Sequence, residues 1–238
     1  MRLSRVLGVR KKMLKTRIVT LGVIITGMLS LAFTVATFYG QNAGNFVMTV
    51  DYAALTRGIQ ISTDEAFTSP SSILMSEPIR DARDMTYSWL KLRDVEETEG
   101  NFTDIDYEYV AYTFYVRNMG TETIDVTYHI RITDVYNNLD EAIRILVIED
   151  GVQTMYQKPD QPDEFGNLPE YPPEMPPAVN FLSDTIVTRQ RFTNFRPGDI
   201  KKFSVLIWLE GYDPDTNDEV LGGMIKAQMN FSIDMFGD

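Results

Sequence analysis

The densest run of chemically capable side chains lies at 211–219 and reads Gly-Tyr-Asp-Pro-Asp-Thr-Asn-Asp-Glu. Asp213, Asp215 and Asn217 stand at alternate positions, as oxygen ligands do in loops that wrap Ca²⁺. That cation takes roughly six to eight oxygens at about 2.4 Å. The loop is not an EF-hand: Asp218 occupies the place of the required Gly, and Met224 that of the closing Glu. Two readings follow. One is a metal site on Asp213, Asp215 and Asn217. The other, which these residue types favour, is a turn whose Asp and Asn side chains bond their own backbone amides.

Other chemistry is narrowly bounded. The chain has no cysteine and a single histidine, His129, so thiol catalysis is excluded and a zinc site would lack its usual ligands. A Ser-His-Asp triad would depend on that one residue, and no Gly-x-Ser-x-Gly elbow accompanies it. His129 falls on the polar face of an alternating stretch and reads as a solvated cross-strand partner. A carboxylate pair for glycoside hydrolysis is defined by a separation in space that the 34 acids do not reveal in sequence. No catalytic residue is assigned, and the expectation is a non-enzymatic protein with no cofactor apart from the Ca²⁺ reading. Trp208 lies opposite Phe203, Val205, Ile207 and Leu209, so it is either an exposed sugar-stacking ring or part of a second buried face. Trp89 is open to the same two readings.

The elements that must position these residues are strands. In 124–132 every even position is apolar and every odd one polar, the pattern of a strand with one face on a core and one in water. Residues 106–116 place Val110, Tyr112, Phe114 and Val116 on one face, and 117–121 read as a turn joining the two stretches into a hairpin. Further strands are expected at 46–51, 58–62, 143–149, 153–157, 200–210 and 224–234, with Asp150-Gly151 turning between the third and fourth. Only short helical turns are expected, for example at 66–74 or 217–221. Residues 158–177 hold seven of the eleven prolines, which cannot donate to a ladder, so this is an exposed loop or a stiff connector. The fold class is all-β: a single antiparallel β-sandwich or jelly roll over 44–238, preceded by one N-terminal transmembrane or signal helix.

That helix is expected from charge. Seven basic residues lie within 1–17, a 22-residue stretch without charge fills 18–39, and the first acid is Asp51. As a helix the stretch spans about 33 Å, enough to cross a hydrocarbon core, with the basic flank held in the cytoplasm. It is either a retained anchor or a cleaved signal, with small-residue patterns ending at Ala36 and Ala43. Both place the body outside the cytoplasm. Of the 22 basic residues only 15 remain there, facing all 34 acids. Such a surface repels nucleic acid and anionic headgroups and suits cations, cationic partners or plain solubility.

Three features together resemble the TasA/camelysin group of exported jelly-roll proteins of Gram-positive bacteria. They are the Gly44-Asn45-Phe46-Val47-Met48 strand behind the export segment, the Asn118-Met119-Gly120-Thr121 turn leading into an Ile/Val-alternating strand, and the Arg196-Pro197-Gly198-Asp199 turn leading into a core strand. The resemblance implies a surface or matrix protein whose copies join into fibres by lending an N-terminal strand. Here that strand would be Asn45, Phe46, Val47, Met48, Thr49 and Val50, filling an open sheet edge. Metalloprotease activity is described in the group, but this chain has no His-Glu-x-x-His. The Pro-rich segment and the 211–219 loop also depart from the group's pattern. Expected partners are further copies or envelope proteins, with the membrane met through the N-terminal helix. The alternative is an anchored extracellular binding module for a glycan or a protein, with Ca²⁺ assisting.

Overall fold

β-branched and aromatic residues at every second position favour a pleated, half-buried chain, and the body is built of such strands. The computed structural model describes residues 20–28, 30, 45–162 and 164–233. Two compact units divide the chain, Met1–Ala43 and Gly44–Asp238. In the first, residues 20–28 and 30 are helical; the rest of the expected 18–39 helix and the basic 1–17 region lie outside the described residues. Among the described residues no helix is long and apolar enough to cross a membrane.

The second unit holds two sheets. Sheet A contains β1 (Phe46–Val50), β3 (Ile73–Met75), β6 (Ile124–Tyr136), β10 (Ile186–Phe195) and β12 (Met224–Ser232), in the spatial order β10-β6-β12-β1-β3. Sheet B contains β2 (Ile59–Ser62), β4 (Gly100–Asn101), β5 (Val110–Asn118), β7 (Ile143–Glu149), β8 (Val152–Gln157), β9 (Ala178–Asn180) and β11 (Ile200–Leu209). Its order is β2-β5-β11-β7-β8-β9, with β4 also beside β5. Short helices α1 (Tyr52–Thr56), α2 (Leu92–Glu97) and α3 (Leu139–Ala142) punctuate the strands.

Inner faces of the two sheets share one core centred on aromatic rings. Phe114 stacks on Phe203 within sheet B at 5.5 Å, and Phe231 of sheet A meets both edge-on at 5.9 and 5.5 Å. Such offset and edge geometries suit the ring quadrupoles better than a face-to-face sandwich. Sheet B is also covered on its other face. Met85, Leu90 and Val95 from residues 85–95, together with Met175 of the Pro-rich segment, pack there on Leu146, Ile148, Leu206 and Trp208. β5 and β11 are therefore buried on both sides, which explains their lack of strict alternation.

Several expectations need correction. The purely antiparallel sheet is broken twice: β1 runs parallel to β12, and β9 parallel to β8. Of the stretch at 106–116 only the part from Val110 is strand, and it forms no hairpin with 124–132, since β5 lies in sheet B and β6 in sheet A. Asn118 turns the chain from one sheet to the other. Its side-chain amide donates to the carbonyls of Glu122 (2.9 Å) and Phe195 (2.8 Å), and its Oδ1 accepts from Gly120 N (2.9 Å). Residues 66–74 are not helical; they carry bends and lead into β3. The Pro-rich segment is anchored through Met175 and Tyr171 rather than standing free. The Asp150-Gly151 turn does join β7 to β8, both residues with positive φ. β10 carries two register shifts, which break its periodicity and left it unexpected.

Candidate functional site

The strand Asn45–Val50 does not lie at a sheet edge. Phe46, Met48 and Val50 point into the core and are buried, while Val47 and Thr49 face outward. On one side β1 pairs with β12, with Phe46 opposite Ala227 and Val50 opposite Phe231. On the other it pairs antiparallel with the short β3, with Val47 opposite Met75 and Thr49 opposite Ile73. Neither neighbour is the next strand in sequence, which is β2 of the other sheet. The chain leaves β1 through Asp51, whose carboxylate caps α1 by accepting from Ala54 N at 2.8 Å, and crosses to sheet B.

Polar contacts fix both ends of this strand. Asn45 Oδ1 accepts from Ile79 N at 2.6 Å, and its Nδ2 donates to the Ile225 carbonyl at 3.0 Å. Phe46 N donates to Ser76 Oγ at 3.1 Å, and Ser76 N returns a bond to the Phe46 carbonyl at 2.9 Å. Near the far end Thr49 Oγ1 accepts from Gln228 Nε2 (3.0 Å) and Asn230 Nδ2 (2.9 Å). Sequence reading found the strand but not Ser76, Ile79, Gln228 or Asn230 as its partners. Nothing local marks them, because they lie about 30 or about 180 residues away.

The acidic loop follows β11. Asp213 turns inward, where its Oδ2 accepts from Arg144 Nη1 at 2.7 Å and its Oδ1 from Asp215 N at 2.9 Å. Asn217 caps the turn at Asp218–Val220 through Glu219 N at 2.8 Å. Asp215 lies at the surface, where partial desolvation of its carboxyl, and then nearby Asp213, Glu141 and Asp160, push its pKa up. Two of the three expected ligands thus bond within the protein. Among the described residues no group of three or more histidines and carboxylates is placed to hold a metal ion. Arg144 is wholly buried, with the Tyr171 ring 5.0 Å from its guanidinium carbon. Trp208 is buried and donates to the buried Glu210 carboxylate at 2.9 Å, so it belongs to the second covered face. Trp89 is half exposed and stacks on Tyr107 at 5.1 Å. His129 is partly buried, and burial with Arg131 and Arg189 nearby pushes its pKa down.

No family model matches the chain, and no curated protein matches it. Two crystal structures of the beta-glucosidase from Kluyveromyces marxianus are similar over 74% of the chain, at 10% and 8% identity and TM-scores of 0.26 and 0.24. The second holds glucose. The chain spans 16% and 15% of their lengths, and likeness at this level carries no argument about fold or activity.

One opening adjoins the start of β1. A crevice of about 190 Å³ lies there, lined by Asn45, Ile79, Leu139, Val220, Met224 and Ile225 among others. The site's chemistry is that of backbone pairing and shape. No nucleophile stands beside a base in it.

Proposed function

We propose that this chain is a non-enzymatic structural protein of the cell surface, exported behind its basic and apolar N-terminal segment. Its body is read as a jelly-roll type β-sandwich whose copies join by exchanging β1. The observation that carries this reading is the position of β1. It is the first strand of its unit, it lies inside a sheet, and no hairpin ties it to β3 or β12. An identical strand from another copy would make the same bonds in the same slot, so the exchange gains or loses little per contact and concentration decides it. Burial of Phe46, Met48 and Val50 contributes roughly 6 kcal/mol in total, which makes an empty slot unstable and a filled one durable. The partners are further copies and envelope proteins, with the N-terminal segment meeting the membrane. The acidic body disfavours nucleic acid.

Because the chain lacks cysteine, introduced thiols report directly on this exchange. Val47 faces Gln228 on the outer side of sheet A. Copies carrying Val47→Cys are mixed with copies carrying Gln228→Cys, incubated at high concentration and oxidised. A disulfide-linked dimer, with oligomers or filaments of the parent protein by electron microscopy, is the expected result. Monomers alone, under conditions where the two cysteines in one chain do link, would refute it.

A second reading, a displayed binding module, has the crevice at the start of β1 in its favour. Uptake of a small aromatic fluorophore that Val220→Trp abolishes would support it.

A further inference from the structure

Alternation of buried and exposed side chains repeats every two residues. It therefore forbids a one-residue slip of β1, which would turn Phe46, Met48 and Val50 outward, but it tolerates a slip of two. After a two-residue slip the inward set becomes either Gly44, Phe46 and Met48 or Met48, Val50 and Tyr52, both still largely apolar. Backbone pairing offers no further discrimination, because every residue in the strand presents the same amide and carbonyl.

We infer that Asn45 and Thr49 set the register of the β1 slot, and so make it specific for this chain's own strand. The inference rests on the exchange reading for its partner, a second copy, though not for its geometry. Asn45 alone offers an acceptor to Ile79 N and a donor to the Ile225 carbonyl at once. Thr49 alone gives Gln228 and Asn230 a shared oxygen between the two amides. A slip in one direction puts Val47 in the place of Asn45 and Asp51 in the place of Thr49. The opposite slip puts Ala43 and Val47 in those places. Neither Val nor Ala can accept or donate, so each slip leaves polar groups of the slot without partners, and these are costly when half-buried. The slot thus reads a pattern: Asn at the first position, a hydroxyl four residues later, and apolar residues at the second, fourth and sixth.

Cysteine pairs in the full chain test this. In the observed register Val47 faces Met75, whereas the slip that brings Val47 to the place of Thr49 would bring it opposite Ile73. Val47→Cys is combined with Met75→Cys or with Ile73→Cys, first within one chain and then on separate copies. In the parent background the link forms with Met75→Cys, and the Ile73→Cys product stays at background. Adding Asn45→Ala and Thr49→Val to the strand raises the Ile73→Cys product about tenfold or more, the factor that corresponds to losing hydrogen bonds worth about 1.4 kcal/mol or more in all. An Ile73→Cys product in the parent, or one unchanged by the two substitutions, overturns the inference. Links within one chain that follow the predicted pattern, with none between copies, would instead refute exchange and leave the register lock standing.

Discussion

Asp213→Asn should be among the most damaging single substitutions in the body, and the structure gives its size. The Asp213 and Arg144 side chains are 1% and 0% exposed, and they meet at 2.7 Å. Arg144 has little else: Nη1 also donates to the Ile143 carbonyl, while Nε and Nη2 find no protein partner. Removing the carboxylate charge therefore leaves a buried cation facing only neutral oxygens and the face of Tyr171. Breaking a buried pair in this way costs about 3–5 kcal/mol. In a unit of this size that lowers the melting temperature by about 10 °C. Arg144→Met alone should cost a similar amount, because the Asp213 carboxyl then lies buried without its guanidinium partner. The double variant Arg144→Met with Asp213→Leu should recover most of the loss, since two apolar groups need no pairing. Urea unfolding of the parent, Arg144→Met, Asp213→Leu and the double variant closes the cycle, with Asp213→Asn measured beside them. Loss below about 1 kcal/mol in Asp213→Asn, or a double variant no better than the sum of the singles, would show that the pair is not the buried, isolated contact described.

Other outcomes follow from the same geometry. Met48→Ala should destabilise the body by about 2–5 kcal/mol in urea, because Met48 is fully buried at the middle of β1. Gly58→Ala should cost at least about 2 kcal/mol: Gly58 has φ +94°, and a Cβ there would lie 2.3 Å from Gly120 N. Hydrogen bonds from the Ser62 hydroxyl and from the Thr68 amide and hydroxyl hold the Asp64 carboxyl down at about 2. Because this folded value lies below the ordinary 3.8, the stability it brings is complete above pH 4 and is lost as pH falls toward 2. The melting-temperature gap between parent and Asp64→Asn should therefore close over that interval. Millimolar Ca²⁺ should leave the melting temperature unchanged, since Asp213 and Asn217 are bonded within the protein; a calcium-dependent rise lost in Asp215→Ala would restore the metal reading.

Most strands could be read from the sequence because their own alternation records which face is buried. β12 shows it throughout and β6 in its sequence over 124–132, and the turn at Asp150-Gly151 is local chemistry. What could not be read is pairing. The 117–121 turn looks like a hairpin tip because its residue types favour reversal, yet Asn118 uses its side chain to bridge Glu122 and Phe195, and the second depends on a strand 77 residues away. β10 escaped notice because its bulges interrupt the period, and β3 because three residues carry no period at all. The acidic loop meets the same limit. Its spacing is that of ligands, but a guanidinium 69 residues earlier in the chain takes one carboxylate inward.

Parallel pairing of the first and last strands also decides how the body bears load. Tension applied upstream of β1 and downstream of β12 pulls these neighbours in opposite directions along their shared axis. Every rung between them is then strained at the same moment, as in a lap joint, instead of being peeled open one after another. A chain tugged from both sides of this pair would have to break those rungs together before either strand came free.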